Sequence, residues 1–198
     1  MQSIYAMHQN GSDNLEKQEK FLTASTENIL ELYLILLSAL VEIRKKEIDF
    51  IEISKKKHLA TAEERNPNLR FVNNAILLAL EENNSLSIAI EKHKINNWVL
   101  NDNTILTLLQ EVKNSSLYAK YMAKPTTSFE EDRFFIADMF AEIIAPNETL
   151  YSYLEDFKLT WVDDIPMVNT QIHKELKQFS KSEDSFRITK LYRDIEDK

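Results

Sequence analysis

From Ile29 to Val41 the chain reads Ile-Leu-Glu-Leu-Tyr-Leu-Ile-Leu-Leu-Ser-Ala-Leu-Val, apolar on every side of a helix except at Glu31 and Ser38. A helix with no polar face must be buried, because no side of it is left for water. The run is shorter than the roughly 20 apolar residues a bilayer-spanning helix needs. Beyond Val41 the apolar pattern narrows to one stripe, Ile43, Ile48 and Ile51, with Arg44, Lys45, Lys46, Glu47, Asp49 and Glu52 on the wetted side. The stretch from Glu27 to Ser54 is therefore expected to be a central core helix whose C-terminal end emerges into solvent.

What surrounds that helix is constrained by glycine. Gly11 is the only one in 198 residues, where average usage would give about 14. Hairpin turns, β-bulges and phosphate-cradling loops all lean on glycine, so its near-absence argues for an all-α fold and against a nucleotide-binding one. The prolines, Pro67, Pro125, Pro146 and Pro166, fall where helices would have to stop or start. With no cysteine, disulfides, thiol catalysis and thiolate metal sites are ruled out. The start, Met-Gln-Ser-Ile-Tyr, shows no basic segment followed by an apolar one, so no signal peptide is visible and a cytoplasmic location is expected. A net charge of −8 disfavours broad nonspecific binding to nucleic acid but leaves room for a local basic patch.

Read in order, Met1–Gln9 has the character of a helix end with Ile4 and Met7 on its apolar side, where Tyr5 is a further candidate to pack. Asn10-Gly11-Ser12 stops it, Gly11 being suited to the left-handed C-terminal position. Asp13, with Glu16 three positions on, resembles an N-terminal cap, and the next helix either runs into the central one or breaks near Thr23–Thr26. Lys55–Pro67 is a polar connection. Ser128-Phe129-Glu130-Glu131 is a capping box for a helix ending before Pro146. After a polar break at Ser182–Ser185, Ile188, Leu191, Tyr192 and Ile195 recur at helical spacing up to a charged end.

Two internal segments match each other. Phe71-Val72-Asn73-Asn74, then Ile76, Leu80, Asn83, Leu86, Ile90, Glu91, Lys94 and Ile95, correspond to Phe135-Ile136-Ala137-Asp138, then Phe140, Ile144, Asn147, Leu150, Leu154, Glu155, Lys158 and Leu159. Each pair lies 135 − 71 = 64 positions apart without a gap. Trp98-Val99 and Trp161-Val162 follow with one residue of slippage, and acidic helix starts come next at Asp102 and at Asp163-Asp164. The expected architecture is a multi-helix bundle containing a duplicated unit: helix, tight turn at asparagine, helix, Trp-bearing corner, helix. Three parts are expected: an N-terminal helix and central core helix over 1–60, a first repeat over 68–124, and a second repeat with the start of a further part over 128–198.

Candidate chemistry is thin. His8, His58, His93 and His173 show no metal-binding spacing, so no metal site and no cofactor is expected. Glu130-Glu131-Asp132 and Asp163-Asp164 have the composition for metal or acid–base work, but each sits where a helix begins and where the helix dipole favours carboxylates. Lys55, Lys56, Lys57 and His58, with Arg44, Lys45 and Lys46 before them, form the one basic concentration: a contact for RNA phosphates or a solvated helix end. Trp98 and Trp161 suit stacking on bases or wedging a core, and equivalent corners of a repeat favour the wedge. No nucleophile, base and orienting group can be assembled, so no catalytic residues are assigned and the chain is not expected to be an enzyme.

Met1-Gln2-Ser3-Ile4-Tyr5-Ala6-Met7-His8-Gln9 resembles the end of the first helix of the bacterial antitermination factor NusB family, which follows an arginine-rich run with a segment like V-Q-A-L-Y-x-x-x-Q. Gln2, Ile4, Tyr5 and Gln9 fall on those positions. Leu159-Thr160-Trp161-Val162-Asp163-Asp164-Ile165-Pro166 and Leu191-Tyr192-Arg193-Asp194-Ile195-Glu196-Asp197-Lys198 are similar to a long form of the family, in which extra helices follow the first one. The resemblance implies an all-α, non-enzymatic protein that pairs with the small-subunit ribosomal protein NusE, binds boxA RNA, and keeps RNA polymerase elongating on ribosomal RNA operons. It implies RNA contacts for Tyr5, with Gln2 nearby; a ring stacked on an unpaired base is worth about 1–3 kcal/mol. The chain departs from the family in lacking the arginine run and the C-terminal half. It is expected to start about a dozen residues late and end roughly 100 early, and so to bind boxA weakly. Two rivals remain: a helical protein–protein interaction module that never touches RNA, and a domain fused ahead of a ribosomal-RNA cytosine methyltransferase.

Overall fold

The computed structural model describes residues 15–126 and 128–180. Among them are ten α-helices and no strand. The first helix, α1 (Leu15–Lys55), runs without a break through Thr23–Thr26. Its side chains at 19–24 are exposed, whereas Leu32, Leu34, Ile35, Leu37, Leu40 and Ile43 have no accessible surface. Burying one such side chain is worth about 1.5–3 kcal/mol. Phe50 and Ile53, near its C-terminal end, return to solvent. By length and composition the part within Glu19–Lys55 would also pass for a membrane span; half of its most apolar window is buried inside the bundle.

The helices that follow are α2 (Ala62–Arg65), α3 (Ala75–Glu81), α4 (Asn84–Lys92), α5 (Asn97–Leu100), α6 (Asp102–Asn114) and α7 (Ser116–Met122). Then come α8 (Phe129–Met139), α9 (Glu148–Phe157) and α10 (Ile165–Gln178). One turn of π-helix, Phe140–Ile144, extends α8 toward Pro146, and a 3-10 turn, Leu159–Trp161, follows α9. Side-chain caps supply the chain reversals that glycine supplies elsewhere: Thr61, Asn74, Asn83, Ser115, Ser128 and Asn147 each accept from a first-turn N–H.

Helix α1 is the axis. It packs against α3, α6 and α10, and touches α2, α4, α5 and the 3-10 turn at its margins. Helix α8 lies outside that ring, between α3, α7 and α10. Buried residues from Leu32 to Phe179 form one continuous core.

The joint between α3, α7 and α8 is polar. The buried Asp132 carboxylate accepts from the Tyr121 hydroxyl at 2.7 Å and from the Ala75 N–H, at the start of α3, at 3.0 Å. The Asn74 side-chain amide donates to Tyr121 Oη at 3.1 Å and to the Asp132 carbonyl at 3.2 Å. The acidic cluster at 130–132 thus caps two helices: Glu131 completes the box with Ser128 on α8, and Asp132 serves α3 instead. At 163–164 the expected side-chain cap is missing, since Asp164 makes no capping hydrogen bond to α10.

Candidate functional site

The matched segments meet α1 through their tryptophans. The Trp161 indole N–H donates to the Asn28 carbonyl at 2.9 Å. The Trp98 indole N–H donates to the Ile35 carbonyl at 3.2 Å and to Ser38 Oγ at 2.9 Å. Asn28 and Ile35 are two helical turns apart, so the rings dock on one helix about 10 Å from each other. Both are buried, Trp161 wholly and Trp98 to 6% exposure. They are core wedges. The asparagines before them also act alike: Asn83 accepts from the Leu86 N–H and Asn147 from the Leu150 N–H.

Between helix and tryptophan the two segments differ. Helix α4 closes with the Ile95 N–H on the Ile90 carbonyl and the Lys94 N–H on the Glu91 carbonyl, at 3.0 and 3.1 Å. This is a Schellman turn, and Lys94 holds its left-handed position at φ 53°. Helix α9 closes without a left-handed residue: Lys158 turns extended at φ −155°. The turn through Lys94 absorbs the extra residue that separates Trp98 from exact register with Trp161.

Lys158 is free to reach back to α1. Its ammonium lies 2.7 Å from Asn28 Oδ1, 2.8 Å from Glu31 Oε2 and 5.2 Å from the Trp161 ring, while Phe157 stacks on that ring at 5.5 Å. Trp98 has no such cover. Tyr153 of α9 leans on it at 5.2 Å, and the Asn97 side chain donates to the Tyr153 hydroxyl at 2.8 Å. Burial pushes that phenol's pKa up, and the Asn97 bond pulls the other way. Beside Trp98 a groove of about 520 Å³ opens over Val41, Leu86, Ile90 and Ile95, with Val99 on its edge. Val99 and Leu100 are 80% and 84% exposed.

Of the expected RNA-facing residues, Gln2 and Tyr5 lie outside the described residues. Lys55 is the last residue of α1, and Lys56 and Lys57 follow it. Lys55 pairs with Glu52 at 3.2 Å and Lys57 with Glu64 at 2.7 Å. The Lys57 ammonium and the Thr61 N–H hold the Glu64 carboxyl below its usual range. Upstream, Arg44 pairs with Glu81, Lys45 with Glu42 and Lys46 with Asp102. Lys56 is exposed and has no ion-pair partner among the described residues. The basic concentration is thus largely balanced by carboxylates.

Sequence reasoning missed the Asp132–Tyr121–Asn74 joint and the bond from Tyr33 to Glu175, 2.5 Å, which ties α1 to α10. Burial and the Glu175 carboxylate push the Tyr33 phenol's pKa far up, so it stays a hydrogen-bond donor. Among the described residues no group of three His, Asp or Glu side chains is placed to hold a metal ion. Compared with family models, with curated proteins and with solved structures, the chain finds no match.

Proposed function

We propose that this chain acts by binding, as part of a NusB-type antitermination factor that joins boxA RNA and the ribosomal protein NusE on transcribing polymerase in the cytoplasm. The observation that carries the reading is the N-terminal phrase with Gln2, Ile4, Tyr5 and Gln9 on the family's positions. The all-helical bundle with one core agrees with it. Because the lysines at 55 and 57 are already paired, Tyr5 and Gln2 carry the RNA contact in this reading, and Lys56 adds one charge. No chemical step and no cofactor enters.

The test is anisotropy of labelled boxA RNA and of a scrambled RNA, titrated with the chain and NusE at two salt concentrations. BoxA is expected to bind roughly tenfold tighter than the scramble, more weakly as salt rises, and Tyr5→Ala is expected to lose about 1–3 kcal/mol of it. Equal affinity for both RNAs sinks the reading. A second reading, a protein-docking module, is favoured by the exposed Val99 and Leu100 beside the Trp98 groove. That reading expects no preference for boxA at any salt concentration.

A further inference from the structure

We infer that the groove beside Trp98 is a docking site for a tryptophan carried on a helix of a partner protein. The chain's own two tryptophans mark where on α1 such a ring sits. Trp161 donates to the Asn28 carbonyl and Trp98 to the Ile35 carbonyl. Three residues beyond each carbonyl, an α1 side chain binds the same corner: Glu31 accepts from Lys158, and Ser38 accepts from Trp98. The step is seven residues in both cases, from 28 to 35 and from 31 to 38. Seven residues return to nearly the same face of a helix about 10 Å further on. One more step reaches Glu42 and Lys45. Both line the groove, and the chain has no third tryptophan to place there.

The groove has the size and the chemistry for that third ring. Its volume of about 520 Å³ lies in the range of pockets that enclose a ligand. Val41, Leu86, Ile90 and Ile95 supply an apolar floor. Ile90 is only half-buried, whereas Leu154, its counterpart in the second segment, is 1% exposed. The charges of the rim are matched among themselves: Lys45 pairs with Glu42, Lys46 with Asp102 and Glu81 with Arg44. A phosphate or an ammonium finds no surplus of opposite charge over such a rim, and an uncharged ring meets no repulsion. Lys45 holds Glu42 through Oε1, which leaves Oε2 to accept an indole N–H. The exposed Val99 on the edge offers apolar surface to the helix that carries the ring. The inference rests on the protein-docking reading, to which it gives a partner, and is independent of what Tyr5 meets.

The test titrates the ¹⁵N-labelled full chain with N-acetyl-tryptophanamide, and separately with N-acetyl-leucinamide, and follows the backbone amide signals. The tryptophan probe is expected to give saturable shifts at Lys45, Ile95 and Val99 with a Kd of about 1 mM, and the leucine probe to bind about tenfold more weakly. Val99→Asp is expected to weaken the tryptophan probe about tenfold, while Met167→Asp, exposed on α10, leaves it unchanged. Both positions face solvent, so the fold is kept. Absence of saturable shifts at the groove would overturn the inference. Equal binding of the two probes would overturn it too, leaving a docking groove without preference for tryptophan. Shifts of the same signals with chain concentration alone, or on adding boxA RNA, would give the groove to a second copy or to RNA and overturn it as well.

Discussion

The corners at Trp98 and Trp161 hang from the same helix two turns apart, yet one is sealed and the other stands beside an open groove. At Trp161 a lysine leaves the preceding helix extended, lies over the indole and ends on Glu31. At Trp98 the matching lysine is spent on a left-handed turn. Ile95 takes the place next to the ring, and Tyr153 from the other segment supplies the contact that Lys158 supplies locally. A single backbone choice, the way one helix ends, therefore decides whether a corner is closed from within or completed by its neighbour.

Removing the rings tests this most severely. Trp161→Ala is expected to cost about 4–5 kcal/mol and Trp98→Ala about 3–4. The void at Trp161 is enclosed, while the one at Trp98 merges with an existing groove and is more easily relieved. Urea unfolding of both variants measures it, and a larger loss at Trp98 would break the comparison. A smaller effect separates the lysines. Lys158→Met keeps the aliphatic stem but loses the Glu31 pair and the contact with the ring, for about 1–2 kcal/mol; Lys94→Met is expected to change almost nothing. Lys94→Gly should stabilise by about 0.5–1 kcal/mol, because glycine holds a positive φ without strain. A loss on that change would mean that the Lys94 side chain has a role its backbone does not reveal.

How far the sequence reveals these corners depends on the range of the forces that make them. The core helix was readable because burial on all sides leaves a run like Leu34-Ile35-Leu36-Leu37 without polar interruption. The turns at Asn83 and Asn147 were readable because the bond that makes each one, from a side-chain oxygen to a first-turn N–H, spans three residues. Tryptophans at matched places in two segments marked buried corners for the same reason of pattern. The left-handed turn at Lys94 was not readable, since glycine is its usual signal and a lysine holds the position here. Nor does any local spacing say that Asp132 will cap a helix more than 50 residues earlier, or that Lys46 and Lys57 will meet carboxylates. Those partners are set by the assembled bundle. The charge run at 55–57 reads in the sequence as a contact for RNA phosphates or a solvated helix end, and in the fold Lys55 and Lys57 each meet a carboxylate.

The finest test lies just past the tryptophans, where each corner begins its next helix with an acid. Asp102 pairs with Lys46 at 2.7 Å, and that bond raises the Lys46 pKa. Its stabilisation is therefore present through neutral pH and is lost only as pH rises through the lysine's folded value. Asp164 is in the opposite position: burial and the neighbouring Asp163 push its carboxyl pKa up. The folded chain holds that proton more tightly than the unfolded chain, so the contribution is favourable in acid and is lost as pH rises through the folded value. Asp164→Asn is accordingly expected to raise stability slightly at pH 7, by no more than about 0.5 kcal/mol, and to have no effect in acid well below that value. Asp102→Asn is expected to lower stability at pH 7 by less than about 1 kcal/mol. Thermal unfolding at both pH values compares the two. If both variants shift the same way at pH 7, the acids are equivalent and the corners differ only in how their tryptophans are covered.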